Sequence, residues 1–465
     1  MKLIPTYTWT KGLHTMSRDG KKFMEQPWAA GVTLVVCVII AMLLANLPFT
    51  KDAYWKVLHT PLSMSIGDVS FPDHMTVGHF INDILMVVFF FTVGLEIKRE
   101  VVCGELSSVK KAMLPVIGAL GGMAAPAIIF TLFNHGTDAA SGWGIPTATD
   151  IAFAVGIMSI MGDRVPVSLK VFLTALAVAD DLGAILVVAF FYGQGVNLLL
   201  LTIALAIVAL VLMMNRMGEK RMAYYLVPAI AVWFLFYYAG IESTMSGVVM
   251  ALMIPMEPRY NKAYFRRKNK EYLRRLEEYE EADGTEEEDF PNGPQRHCLR
   301  RISHVASNSM GMSYRLEHAL SPWVNFGIMP LFAIANAGVE IHSLSELNIF
   351  QVDPTGGSVG MGIFFGLLLG KPIGITIASW LAIKLGVGAM PSNASWTKFV
   401  SVACLGGIGF TMSIFVDTLS FTGVEHMELL RDMGKVAVLM GSVSAGILGS
   451  LLIHLFTKKA PATKE

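Results

Sequence analysis

Ala175-Leu-Ala-Val-Ala-Asp-Asp-Leu-Gly-Ala184 sets two adjacent carboxylates, Asp180 and Asp181, in the middle of an apolar run. With its flanks, at 166–192, the run is long enough to cross the hydrocarbon core of a bilayer as a helix, which takes roughly 20 residues. A charge at the centre of such a helix costs at least about 2.5–3.5 kcal/mol. Two neighbouring carboxylates cannot both stay ionised, dry and unpaired, because like charges oppose each other's ionisation. Successive helix residues are rotated by about 100°, so the two groups face different surroundings. One can line a water-filled cavity while the other meets a partner on another helix. Lys371, in Gly366-Leu-Leu-Leu-Gly-Lys-Pro-Ile-Gly374, is the lysine set deep in an apolar run and the natural partner. A purely structural ion pair would account for one aspartate and the lysine, and would leave the second aspartate without a role.

Composition agrees with a membrane setting. The 465 residues are 54% hydrophobic and 15% charged, with 36 basic and 36 acidic side chains giving a formal charge of zero. A soluble protein carries about a quarter charged residues. Residues 257–301 alone hold 22 of the 72 formal charges, so the remainder is poorer still. This excludes an ordinary soluble enzyme, a disordered chain and a nucleic-acid binder. Cys37, Cys103, Cys298 and Cys404 show no spacing of a metal site or disulfide framework. The first apolar run, near Trp28, has no clear cleavage site after it and reads as a retained span.

An all-α polytopic membrane protein follows, with candidate spans near 28–48, 77–97, 112–133, 143–162, 166–192, 197–214, 223–240, 243–255, 322–340, 358–384, 396–417 and 434–456. Loop charges support the count of twelve. On one side, Lys and Arg number five in 1–27, four in 98–111, two in 163–170 and three in 215–222. On the other, 49–76 holds two, 418–433 one, and 134–142, 192–196, 239–243 and 341–357 none. That alternation places both termini in the cytoplasm. The membrane domain covers 1–456, with 257–314 an inserted charged cytoplasmic loop and 457–465 a short cytoplasmic tail. Within the loop, 259–275 carries eight basic residues and 277–289 nine acidic ones, the pattern of a solvated helix or linker. Tyr272-Leu-Arg-Arg-Leu-Glu-Glu278 reads as a surface helix, and Met64–Phe71 alternates around Gly67-Asp68 as a hairpin does.

Two further carboxylates lie in apolar runs, Asp83 in span two and Asp150 in span four. Gly142-Trp-Gly-Ile-Pro-Thr-Ala-Thr-Asp150 has the composition of an interrupted helix, and Gly406-Gly-Ile-Gly409 breaks span eleven. Paired breaks offer helix dipole ends and carbonyls to ions. A carboxylate such as Asp150 can neutralise helix N-terminal charge, and Lys371 the facing C-terminal charge. Gly94-Leu-Glu-Ile-Lys-Arg-Glu100 closes span two and Arg315-Leu-Glu-His318 opens span nine. Such charges anchor helix ends, and His318 brings a side chain that titrates near neutrality.

These motifs resemble the NhaA-type sodium/proton antiporters over nearly the whole chain. The resemblance is carried by Phe80-Ile-Asn-Asp83, Gly94–Glu100, Gly144-Ile-Pro-Thr-Ala-Thr-Asp150, Ala179-Asp-Asp-Leu-Gly-Ala184, Arg315–His318, Pro330-Leu-Phe-Ala333, Ala335-Asn-Ala-Gly338, Leu369-Gly-Lys-Pro372 and Gly407-Ile-Gly-Phe-Thr-Met-Ser413. It implies two inverted three-helix repeats, spans three to five and ten to twelve, with spans four and eleven crossed and interrupted. It implies that Asp181 is the main Na+ ligand, and that Asp180 carries a proton and pairs with Lys371. Asp150 and Thr149 would balance and line the crossing point. Glu96, Arg99, Glu100, Glu317 and His318 match the family's pH-response cluster. A homodimer through the hairpin near 64–71, acceptance of Li+ and a bacterial inner-membrane location are implied as well. Ser321 stands where the family often has a second histidine, and 257–314 is longer than the family's usual connection.

The expected activity is a secondary active transport, not an enzymatic one. Cytoplasmic Na+ or Li+ leaves against entering protons, electrogenically and under pH control, with no cofactor and no nucleic-acid partner. A sodium-coupled symporter would need a sizeable organic-substrate pocket, for which no segment is evident. An intramembrane aspartyl protease needs aspartates facing each other from separate helices, commonly with Gly-x-Gly-Asp, which does not occur here.

Overall fold

The computed structural model describes residues 23–457 except 25, 27, 63, 67–68, 72–74, 193–194, 284–290, 342–347 and 425. The expected tail 458–465 and the basic segment 1–22 lie outside the described residues. Among the described residues, nine helices are long and apolar enough to cross a membrane, or ten if Trp396–Leu405 and Phe410–Ser420, bent by 50° at their break, count as one span. Ala223–Ala239 is a shorter apolar helix of 17 residues, and Met245–Met253 has nine. The chain is a multi-pass membrane protein. Leu43, Leu132, Leu198, Leu199, Val227 and Ile447 are exposed, as apolar side chains facing lipid would be.

Contacts divide the chain into two compact units. One comprises residues 1–89, 100–194 and 322–465, and the other 90–99 and 195–321.

In the first unit, Val109–Asn134 packs along Lys371–Lys384, and Gly121 and Gly374 decide how closely. A Cβ on Gly374 would lie 2.1 Å from the Gly121 carbonyl oxygen, and one on Gly121 would lie 2.4 Å from that of Gly374. The two backbones touch directly. Between membrane helices, association comes from such packing, since lipid is as apolar as any side chain. A cluster of Met158, Leu173, Leu176, Ile375, Phe399 and Leu405 seals the same region. Met64–Ile66 and Val69–Phe71 pair antiparallel with Ile66 opposite Val69, the register that a two-residue turn requires. The expected turn itself, 67–68, lies outside the described residues. The short helix Lys51–Leu58 is tied down by Tyr54, whose hydroxyl donates to the Ile334 carbonyl at 2.7 Å. Burial pushes this phenol up to about 12.

In the second unit, Leu95, Tyr225, Val232, Phe236, Met250 and Ile254 form the core. The charged insertion is more ordered than its composition suggests, with helices at Lys262–Asp283 and Gly293–Asn308. The first is laced by Lys268–Glu271 (2.8 Å), Glu271–Arg275 (2.9 Å) and Arg274–Glu278 (3.2 Å), pairs that support a helix at these spacings. Asn292 and Gln295 form a reciprocal capping box that starts the second. The insertion closes on itself, because Arg259 N and Tyr260 N both donate to the Asn308 carbonyl, at 2.9 and 3.1 Å. The following helix begins at Met312, ten residues before the expected ninth span. Its polar first turns, with Arg315, Glu317 and His318, dilute the apolar signal there.

Candidate functional site

Two breaks bring the site together in the first unit. Asp138–Thr147 winds as a tight 3-10 helix around Pro146, and Ala148–Asp150 runs extended before Ile151–Met161 resumes as α-helix. Pro146 supplies no N–H, so no α-helical bond can run from it back to the Gly142 carbonyl. Trp396–Leu405 and Phe410–Ser420 flank Gly406-Gly-Ile-Gly409. The breaks are stitched to one another, since Asp150 N donates to the Ile408 carbonyl at 2.6 Å.

Asp150 joins two helix N-termini. Its Oδ1 accepts from Phe153 N at 3.2 Å, and its Oδ2 accepts from Thr411 N at 3.2 Å and from the Thr411 hydroxyl. A carboxylate here meets the positive ends of Ile151–Met161 and Phe410–Ser420 together. The facing carbonyl end meets a hydroxyl. The Gly406 carbonyl receives the Thr149 hydroxyl at 2.8 Å, while Lys371 turns to an aspartate.

Asp180 and Asp181 sit buried on Val167–Phe191, and Lys371 is fully enclosed on Lys371–Lys384. Lys371 Nζ is ion-paired with Asp180 Oδ2 and also donates to Thr149 Oγ1 at 2.9 Å. Thr149 Oγ1 lies 2.6 Å from the same Asp180 oxygen. A hydroxyl has one proton, so Thr149 donates either to Asp180 or to Gly406 at any instant. Asp180 Oδ1 is buried and has no hydrogen-bond partner among the described residues. Asp181 is 3% exposed and within electrostatic reach of Lys371. Carboxylate, hydroxyl and carbonyl oxygens thus gather around one buried ammonium. This donor set suits a hard cation or a proton.

Of the other expected residues, Arg99 donates to Glu317 in the second unit. His318, next to Glu317, stacks on Tyr314 with ring centroids 5.9 Å apart. Glu96 lies on the same helical segment as Arg99. Glu100, in the first unit, accepts from Glu105 N at 3.1 Å where the chain leaves the helix. Asp83 stands in a π-helical turn, Phe80–Leu85, beside the mutual amide pair of Asn82 and Asn336 (2.7 and 3.1 Å). The sequence does not single out Thr411 or Asp417. Thr411 is one hydroxyl among many, and Asp417 falls at the last residue of the run taken as span eleven, where it passes for an interfacial charge.

Charges gathered where helices break, inside a bundle of apolar helices, define a membrane transport protein. Comparison with known proteins is specific. A family model described as Na+/H+ antiporter 1 matches residues 21–453. The Na(+)/H(+) antiporter NhaA of Helicobacter pylori (strain P12) is 41% identical over 454 residues, covering 97% of this chain and 98% of that protein. That of Wolinella succinogenes is 40% identical over 443 residues, covering 95% and 94%. That of Oleidesulfovibrio alaskensis is 39% identical over 438 residues, covering 94% of each. The chain belongs to this antiporter family and is a transporter, not an enzyme.

Proposed function

We propose that this chain exports cytoplasmic Na+, and Li+, in exchange for external protons, the two ions competing for Asp181 and Asp180 under alternating access. The observation that carries this reading is the buried group of Asp180, Asp181, Thr149 and Lys371 at the joined helix breaks. Asp181 is the principal cation ligand. Asp180 alternates between its pair with Lys371 and a proton, and Thr149 adds a hydroxyl oxygen. Asp150 balances the helix ends at the crossing. A carboxylate offers its oxygens to Na+ only when deprotonated, so proton and cation exclude each other. With more than one proton per Na+, net charge enters, and the membrane potential supplies about 2.3 kcal/mol per charge per 100 mV. Each unit of pH difference adds about 1.4 kcal/mol per proton.

In this reading the shorter helices Ala223–Ala239 and Met245–Met253 complete twelve crossings of the bacterial inner membrane with both termini cytoplasmic. Spans three to five and ten to twelve form the inverted repeats, and the hairpin at 64–71 joins two copies into a homodimer. Glu96, Arg99, Glu100, Glu317 and His318 adjust activity to pH, and Asp83 is a further buried carboxylate. In inverted vesicles, Asp181→Asn is expected to abolish Na+- and Li+-driven pH changes while the protein remains folded. Normal exchange in that variant would overturn the ligand assignment.

A further inference from the structure

Asp417 has no part in the group just described, yet it is buried as completely as Asp180. Its side chain is 0% exposed, and neither carboxylate oxygen has a hydrogen-bond partner among the described residues. It stands in the last turn of Phe410–Ser420, where free carbonyls make the local field negative and disfavour a carboxylate. It is neither a helix cap nor one half of a close ion pair among the described residues.

Space is nevertheless made for it. Gly434, on Met427–Phe456, lies directly opposite, and a Cβ there would be 2.0 Å from Asp417 Oδ1 and 2.9 Å from Cγ. Glycine admits the carboxylate where any other residue would displace it.

The charged groups facing Asp417 are Arg431, Asp432 and Lys435, all on Met427–Phe456. Arg431 donates to the Thr418 carbonyl and to the Thr422 hydroxyl at 3.1 Å, and Lys435 donates to Asp432 at 3.3 Å. The two cations therefore act on Asp417 through space rather than by the short contacts that hold Asp180. Their field permits ionisation, and the lack of a close partner permits protonation. On another side stands Tyr192, within electrostatic reach of Asp417; Ser420, in the same turn as Asp417, donates to the Val416 carbonyl at 2.7 Å. Tyr192 donates to the Ser141 carbonyl at 2.8 Å and accepts from Gly144 N at 3.3 Å. Tyr192 thus stands between the turn of Asp417 and Asp138–Thr147, the segment that runs into Thr149.

We propose that Asp417 is a second proton-carrying carboxylate of the transport cycle, charged opposite Arg431 and Lys435 and within reach of Tyr192. The carboxylate takes one proton and becomes a neutral acid. On release the proton is given up to solvent, and the carboxylate charge is again offset by the two cations. This rests on the antiport reading above.

Asp417→Asn keeps the shape and removes the titration. In proteoliposomes of the full chain, the pH profile of Na+-driven proton movement is expected to shift by about one unit. Infrared difference spectra between acid and alkaline pH are expected to lose one carboxylic-acid band. An unchanged profile or a retained band overturns the proposal. Should Asp417→Asn fail to fold, Tyr192→Phe removes one hydroxyl alone. It too is expected to shift the profile, and an unshifted profile overturns the proposal. Failure of the antiport reading looks different, because the unsubstituted protein would then move no protons on addition of Na+. The infrared band is read without Na+.

Discussion

Lys371 meets Asp180 and Thr149 in an enclosure without solvent contact, so its removal strands a charge. Breaking a buried ion pair by deleting one partner typically costs about 3–5 kcal/mol, because the other charge is left uncompensated. Lys371→Ala is therefore expected to lower the thermal unfolding midpoint in detergent. Adding Asp180→Asn should recover part of the loss, since the two effects share one interaction. Equal midpoints for the single and double variants would show that the stranded Asp180 charge is not what destabilises the single variant. At this scale the sequence was informative where a charge sits in apolar surroundings, because solvent mismatch is visible without a structure. Asp180, Asp181, Asp150 and Lys371 stood out on that ground. Which oxygen meets which hydrogen did not. Thr149 reaching the Gly406 carbonyl depends on a contact across 257 residues, and no local pattern encodes it.

Helices in a bilayer gain little from hiding apolar surface from one another, so their approach distance is set by side-chain size. Gly374 and Gly121 are the position where this matters most for the site, one turn from Lys371. Gly374→Ala would press a methyl group onto the Gly121 carbonyl, a backbone atom unable to move aside. Overpacking of this kind costs about 1–3 kcal/mol, and the variant is expected to melt earlier and to exchange less well. Gly327→Ala is the control, since a Cβ there meets nothing within 4 Å. Comparable losses from both substitutions would mean that the crossing is not responsible, since alanine is favoured over glycine in a helix at either position. Elements were legible in proportion to their apolarity. Val109–Asn134 and Leu198–Arg216 stand within a few residues of their expected bounds. Lys262–Asp283 was glimpsed in one stretch, because its ion pairs leave no apolar stripe to read.

For the molecule as a whole, the insertion between Tyr260 and Asn308 is the part whose removal is most instructive. Its ends already touch through the Asn308 carbonyl, and joining nearby ends adds little loop entropy. Replacing 261–307 by a short Gly-Ser link is expected to preserve insertion and basal exchange. Complete loss of transport in the shortened chain would refute the view of the insertion as an appendage. Asp150 carries a different consequence. Because one carboxylate holds the starts of Ile151–Met161 and Phe410–Ser420, and its own N–H holds Ile408, neither half-helix can swing without dragging the other. The joined breaks act as a single crank. Any rearrangement that opens the buried group of Asp180, Asp181 and Lys371 must pivot around this joint or sever all of its bonds together. Substitutions at Asp150 should therefore be read first as mechanical lesions, and only then as changes in charge.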